Sequence, residues 1–574
     1  MSIPEREQTE FSNGLRPIRS NRGTSILEPR HANNGQMTVY DATYNLLRRL
    51  GLTTVFGNPG STEQPFLKNF PKDFQYVLAL QEASAVAMAD GFAQATRKPV
   101  LVNLHTSAGT GNGMGNIMTA YQNKTPLIIT AGQQTREMVL CEPLLTNRDE
   151  TMMPRPWVKW AYQPVRAQDV PAAIMRAYAI ALQPPAGPVY LSIPLDDWDQ
   201  PALGDAVVRT VSDRFAPDPA RSAQFAERIR KSKDPALVYG QEIERSGGWD
   251  EGIKFAEQLR APVFLAPLAE RASFPQTHPQ FQGMLPTAIG PLSKRLRGHD
   301  LVIVIGAPIF RYYPYIAGDY LPEGAELLQI TSDPADAGAA AVGDSLLADA
   351  KLALEALIDL VPKNSARPLP TPRHIESQLP SPPNSPLTAL EVFATLSELR
   401  PKDAILVEET ASNSADLLQC WPTLEPDSYF TFASGGLGWN TPAAVGIALA
   451  QKKSGNGRPV VAVIGDGALQ YSVQSLYTAA QLKLKLIYIV PCNAEYAILK
   501  EFAVLEKTPN VPALDLPGLD IVSTAKGFGC IAVQAKTAEE IKEAFTTALG
   551  AEGPTVIAIP IARQLRPLVP SAAA

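Results

Sequence analysis

Cysteine is scarce in this chain: Cys141, Cys420, Cys492 and Cys530 are the only four in 574 residues, and none forms a CxxC pair. That excludes the usual zinc spacing and a disulfide framework, and it fits a reducing compartment. Positive charge is not in excess, because 51 Lys and Arg face 57 Asp and Glu for a net charge of -6. A nucleic-acid partner is therefore not expected. No run of about 18 purely apolar residues occurs and no secretory apolar segment opens the chain, so neither a membrane partner nor export is expected, and the predicted location is cytoplasmic. Histidine is also rare, at five residues, so each one can be weighed individually. What the sequence has is length: 574 residues, 45% hydrophobic and 19% charged, is the composition of a soluble protein with about three domains.

Residues 1–36 are polar, carry five Arg and four Glu, and show no sustained periodicity, so they read as a disordered or loosely docked arm. Three Glu in the first ten residues argue against a transit peptide. Beyond the arm, short apolar runs alternate with amphipathic segments, the signal for strand-helix-strand units on a parallel sheet. TTVFG, YVLAL, PVLVNLH, PLIITAG and PVYLSIP give an α/β domain over 37–202; ALVYG, APVFLAP, LVIVIGAP and ELLQITS give a second over 217–361. The proline- and serine-rich stretch 362–386 reads as an exposed, extended linker. AILVEE, YFTFASGG, PVVAVIGDG, LKLIYIVPCN and PTVIAIP give a third domain over 387–565. The predicted fold class is thus α/β, three doubly wound parallel-sheet domains in series.

Such sheets bind ligands beyond the carboxyl ends of their strands, and four strand ends carry chemistry. In GDG, Gly465 and Gly467 flank Asp466, and Asn493 ends a neighbouring strand, so two oxygen ligands converge where a magnesium ion could sit on a diphosphate. An isolated GDG is also an ordinary strand-to-helix turn; the added Asn is what makes the pair specific. After TTVFG, the turn NPGSTEQP presents the hydroxyl of Ser61. YVLAL runs into Glu82 at the start of a small-residue helix, where a carboxylate either stabilises the helix start or, if buried, serves as a proton donor. PVLVNLH delivers His105 into TSAGTGNGMGN, read as a glycine-rich turn opening a helix. His278 lies in a proline-flanked loop of the middle domain, where alone it reads as a surface histidine. The middle domain lacks a complete glycine fingerprint and reads as core rather than as a nucleotide site.

Taken together, NPGS, Glu82, NLH before a glycine-rich segment, and GDG followed by Asn493 resemble the thiamine-diphosphate-dependent 2-oxoacid decarboxylases over residues 37 to 565. Within that family, TVFGNPGSTEQPFLKNFP, NLHTSAGTGNGMGN, PLIITAGQQTR and SGGLGWNTPAAVG are most similar to the benzoylformate decarboxylases. The resemblance implies that Glu82 hydrogen-bonds the aminopyrimidine of thiamine diphosphate and that Leu437 holds the cofactor bent. It implies Asp466, Asn493 and the carbonyl of Glu495 as ligands of Mg2+ (or Ca2+), with Ser61, His105 and His278 contacting substrate and moving protons. Asn58, Pro59, Ser412, Gly435, Gly465, Gly467, Ala468 and the loop Tyr496, Ala497 and Ile498 would line the cofactor, and Leu499 and Phe502 the substrate. The implied activity is non-oxidative decarboxylation of an aromatic 2-oxoacid, benzoylformate to benzaldehyde, through a thiamine-diphosphate enamine. A carboligase forming acyloins or acetohydroxy acids is the alternative, and a non-catalytic cofactor-binding scaffold a third. The implied assembly is a homodimer or homotetramer with active sites between subunits. Two departures stand out: Cys492-Asn493-Ala494 replaces two asparagines and a glycine, and Glu495 puts a carboxylate near the diphosphate.

Overall fold

A computed structural model describes residues 35–149, 151–373 and 385–569, so residues 1–34 of the expected arm and the middle of the expected linker lie outside the described residues. The first sheet comprises β1 (Thr54–Gly57), β2 (Gln75–Leu78), β3 (Val100–Leu104), β4 (Leu127–Gln133), β5 (Ala161–Tyr162) and β6 (Val189–Pro194), in the order β2-β1-β3-β4-β6-β5. The central sheet comprises β7 (Pro235–Tyr239), β8 (Val263–Leu265), β9 (Phe281–Met284), β10 (Leu301–Ile305), β11 (Glu326–Thr331) and β12 (Asp344–Leu347), ordered β12-β11-β10-β7-β8-β9. The third comprises β13 (Ile405–Glu409), β14 (Tyr429–Phe430), β15 (Val460–Ile464), β16 (Leu486–Cys492), β17 (Ile531–Gln534) and β18 (Thr555–Pro560). Its order, β14-β13-β15-β16-β18-β17, repeats that of the first sheet. Every pairing is parallel.

The inner strands β3, β4, β10 and β15 are buried along their whole length, which is why they read as unbroken apolar runs. Four strands have no such signal: β5 is two residues long, β9 and β12 are half buried, and β17 is mostly exposed. All four are edge strands: β5 of the first sheet, β9 and β12 of the central one, and β17 of the third. YFTFASGG is not a full strand either, since pairing stops at Phe430 and the rest turns into the helix Asn440–Ser454. The described start of the proline-rich segment is strapped to the central domain rather than free: Arg367 donates to the carbonyls of Ser232, Lys233 and Leu259, and Gln282 donates to that of Thr371.

The central strand order is that of dinucleotide-binding sheets. At its carboxyl edge, however, the half-buried carboxylate of Glu242 accepts from the Ser332 N–H at 2.7 Å, the Ser332 hydroxyl at 2.9 Å and the Thr331 hydroxyl at 2.7 Å. Donors that could cradle a phosphate are taken by the chain's own anion.

The first and third domains meet where the helix Glu82–Thr96 crosses Asn440–Ser454. A Cβ on Gly91 would lie 2.2 Å from the Ala443 carbonyl oxygen, and one on Gly446 would lie 1.9 Å from that of Met88. Only glycine permits this approach. The buried Asp90 carboxylate bridges the crossing, accepting from the Trp439 indole N–H at 2.7 Å and from Asn123 at 2.8 Å. Arg271 of the central domain joins all three: it donates to Gln94 of the first domain at 3.1 Å, to Glu244 of its own, and to Asp427 of the third at 2.8 Å. Its guanidinium also sits 4.0 Å from the Phe430 ring centroid. Gly446→Ala is expected to cost about 1–3 kcal/mol by overpacking, read as a lower urea midpoint, whereas Gly455→Ala at the exposed end of the same helix, strained only by its φ of 73°, should cost less.

Candidate active site

Glu82 opens its helix with Gln81 as N-cap, whose side chain accepts from the Ser84 N–H. The carboxylate is 7% exposed and its two oxygens accept from Asn58 at 3.2 Å and Asn112 at 3.0 Å. Both braces are neutral amides, which orient the acid without neutralising it. Asn112 was not singled out from sequence, because TSAGTGNGMGN reads as a turn. It is instead the first half of the helix Thr106–Gln122, with His105 as its N-cap. The glycines are there for packing: a Cβ on Gly109 would lie 3.2 Å from Glu82 Cγ and 3.4 Å from His105 Cβ, so Gly109 lets these two residues share one corner.

His105 is oriented by a second missed residue. Its Nδ1 lies 2.8 Å from Glu63 and 3.2 Å from the Thr62 hydroxyl. Glu63 is 1% exposed and also accepts from the N–H groups of Gly60 at 3.1 Å and Gly132 at 2.9 Å. Such a carboxylate accepts a hydrogen bond from Nδ1–H and leaves Nε2 as the ring's acceptor. A Cβ on Gly60 would overlap the imidazole at 2.0 Å, so that glycine is required by the ring itself. Ser61, exposed, opens the short turn Ser61–Glu63 and is flanked in the chain by Gly60 and Thr62, the two residues that meet the His105 ring. Asn58 and Pro59 form the preceding turn.

The third domain supplies the other half. Asp466 starts the short helix Asp466–Leu469 after Gly465, with Gly467 and Ala468 buried inside it. Its carboxylate accepts from the N–H groups of Gly467 at 2.8 Å and Ala494 at 2.7 Å, and among the described residues no cationic side chain pairs with it. Burial, with the nearby charge of Glu495 adding to it, raises its pKa. A divalent ion would relieve that excess of negative charge. The Asn493 amide oxygen accepts the Glu495 N–H at 3.2 Å, closing a tight turn. The Glu495 side chain pairs with Lys500 at 2.5 Å, with Arg563 at 3.7 Å, which offsets part of its charge. Among the described residues no cluster of three or more His, Cys, Asp or Glu side chains could hold a metal unaided. One carboxylate with amide and carbonyl oxygens suits an ion completed by phosphate and water. Cβ atoms on Gly435 or Gly465 would meet nothing within 4 Å, leaving open space in front of both turns. Gly467 is different, since its Cβ would strike the Tyr496 ring at 2.7 Å.

Other expected residues fall into place less uniformly. Ser412 sits in the turn after β13, and Leu437 packs on the core at the 434–439 turn. Tyr496 is the N-cap of the helix Ala497–Glu506, so Ala497 and Ile498 are its first turn rather than loop, followed by Leu499 and Phe502. Phe502 stacks at 5.0 Å on Tyr313 from the central domain. His278 is not joined to this constellation: its Nε2 is 3.5 Å from Glu257, its Nδ1 accepts from the Gln280 N–H at 3.2 Å, and its ring packs on Phe274.

Residues 37–153 match the N-terminal TPP binding domain of thiamine pyrophosphate enzymes, 222–357 their central domain, and 409–559 their C-terminal TPP binding domain. The chain is 46% identical to a benzoylformate decarboxylase of Pseudomonas aeruginosa over 91% of its own length and 98% of that protein. It belongs to the thiamine pyrophosphate enzyme family. Among solved structures, it superposes on a benzoylformate decarboxylase from Polynucleobacter necessarius with a TM-score of 0.91 and 54% identity, over 92% of this chain and 99% of that one. A 4-hydroxybenzoylformate decarboxylase from Rhodococcus jostii RHA1 gives 0.88 and 39% over 92% and 100%.

The two departures have physical consequences here. Ala494 has a φ of 55°, a left-handed conformation that glycine adopts freely and alanine does not. Ala494→Gly should therefore stabilise by up to about 1 kcal/mol, the relief of strain less the extra freedom gained by the unfolded chain, read as a higher thermal midpoint. Cys492 donates to the Val490 carbonyl, and burial pushes its thiol up to about 12. It stays protonated at neutral pH. At about pH 8 a thiol reagent should titrate the exposed Cys141 rapidly and reach Cys420, Cys492 and Cys530 only on unfolding.

Proposed function

We propose that this protein removes carbon dioxide from an aromatic 2-oxoacid, with benzoylformate as substrate and benzaldehyde as product. The likeness to a benzoylformate decarboxylase over nearly the whole length of both chains carries this reading. Bound thiamine diphosphate supplies the electron sink that accepts the pair released as the carboxylate leaves. The chain does the rest. Glu82, held by Asn58 and Asn112, presents a carboxyl to the aminopyrimidine ring, where it donates and accepts a single proton. Leu437 would supply apolar bulk against the cofactor. Asp466, the Asn493 amide and the Glu495 carbonyl would hold a magnesium or calcium ion with the diphosphate, and the open faces of Gly435 and Gly465 leave room for the cofactor. His105, its tautomer fixed by Glu63, offers Nε2 for proton transfer, and the Ser61 hydroxyl offers a substrate contact. Leu499 and Phe502 give the aryl ring an apolar wall.

Geometry within one chain argues for an assembly. The turn that carries Leu437 is pinned by Ser434 to Thr119 at 2.8 Å and by Trp439 to Asp90. Asn112, which touches Glu82, lies seven residues before Thr119, and Glu82 itself eight before Asp90. At about 1.5 Å per residue, both helices put that turn roughly 10 Å from Glu82, at the far end. A complete site then takes Glu82 from one subunit and Leu437 with Asp466 from another, and the same assembly can bring the partner's central domain, with its own copy of His278, to the site. A homodimer is the smallest such unit, and a homotetramer pairs two of them.

Protein supplied with thiamine diphosphate, magnesium and benzoylformate should release benzaldehyde and carbon dioxide; an acyloin as the main product would assign carboligation instead. Glu82→Gln should lower turnover roughly a hundredfold to ten-thousandfold with the fold unchanged by circular dichroism. Refolding Glu82→Gln together with Asp466→Ala should recover about a quarter of wild-type activity, because half the random dimers are mixed and each has one intact site. No recovery in mixtures shown to exchange subunits would mean that each chain builds its own site.

A further inference from the structure

We propose that Glu409 is the positioning residue that sets the turn carrying Leu437 at a fixed distance from the turn carrying Asp466. Its carboxylate is 1% exposed and accepts from the N–H groups of Gly438 and Asn440, both at 2.7 Å. Its main-chain carbonyl accepts from the Gly465 N–H at 3.2 Å, immediately before Asp466. One residue at the end of β13 therefore grips both turns, the first through its side chain and the second through its backbone.

A second grip works from the opposite side. Ser472, three residues past the Asp466 helix, donates to the Gly438 carbonyl at 2.7 Å. Gly438, with a φ of 98°, has no room for a side chain, since a Cβ would lie 2.7 Å from Tyr471 Cβ. The peptide after Leu437 is thus clamped through its N–H by Glu409 and through the next carbonyl by Ser472, the latter on the same segment as Asp466.

Stability alone is a poor reason for this arrangement. No cation pairs with Glu409 among the described residues, and its neighbour Glu408 is also buried. A buried carboxylate without a counter-ion is costly even when hydrogen-bonded, and a local Ser or Asp cap would satisfy the same N–H groups more cheaply. What a local cap cannot do is tie the helix start to β13 and, through Gly465, to β15. That tie fixes where the apolar bulk of Leu437 stands relative to the diphosphate anchor. The inference rests on reading the site as one for thiamine diphosphate.

The test separates the two ends of the cofactor. Calorimetry on the full-length protein would compare thiamine diphosphate and inorganic pyrophosphate, each with magnesium, for wild type, Glu409→Gln and Ser472→Ala. In Glu409→Gln one acceptor oxygen becomes a donor facing an N–H, whereas the backbone bond to Gly465 remains. Thiamine diphosphate should bind roughly 10- to 100-fold more weakly, with magnesium pyrophosphate affected less than about threefold. Ser472→Ala, which removes the weaker grip, should shift the same ratio in the same direction and serves if Glu409→Gln fails to fold. In a Leu437→Ala background the effect of Glu409→Gln should largely vanish, because the position being held no longer carries a side chain. Equal weakening of both ligands, or of neither, in a wild type that binds thiamine diphosphate would overturn this inference alone. A wild type that binds only pyrophosphate would overturn the cofactor reading and this inference with it.

Discussion

The crossing of the helices Glu82–Thr96 and Asn440–Ser454 is the contact on which the rest of the molecule depends. Two glycines remove the side chains that would hold the helices apart, and the backbones approach to a distance at which no Cβ fits. Asp90 then takes the Trp439 indole, Asn123, Thr125 and Gln94 into a single buried carboxylate. Burial pushes its pKa up, yet four donors hold it. A buried carboxylate satisfied from both domains fixes their register, because sliding either helix would strand its charge in an apolar core.

That one contact has a functional cost and a functional return. It holds the 434–439 turn about two helical turns from Glu82, so within one chain the acid and the turn carrying Leu437 stand apart. The same rigidity presents each half to solvent in a finished state. Glu82 is already braced by two amides, His105 already oriented by Glu63, and Asp466 already hydrogen-bonded by two N–H groups, so little ordering would remain for a ligand that engages them.

Much of this was legible in the chain. Parallel strands buried on both faces must be apolar throughout, so β3, β4, β10 and β15 announced three α/β domains, and the residues at their carboxyl ends were the natural place to look for chemistry. The edge strands β5, β12 and β17 gave no such sign, because a strand packed on one side carries no unbroken apolar run. TSAGTGNGMGN misled for a related reason: glycine usually marks a turn, but here Gly109 and Gly113 thin a helix so that Glu82, Val86 and Leu104 can approach it. Glu63 and Asn112 were passed over because a carboxylate or an amide in a loop looks alike whether it faces solvent or an imidazole.

The sequence by itself determined the residue types at the strand ends, the three-domain order and the family likeness, since these depend on local pattern and on motifs a few residues long. Only the tertiary structure decided which of those residues meet. It joined Glu82 to Asn112, His105 to Glu63 and Glu409 to Gly438, left His278 among its own domain's side chains, and set Leu437 away from Glu82. The physical reason is that hydrogen-bond partners and burial arise from the packing of segments distant in the chain, and no local spacing encodes the distance between two strand ends on different sheets.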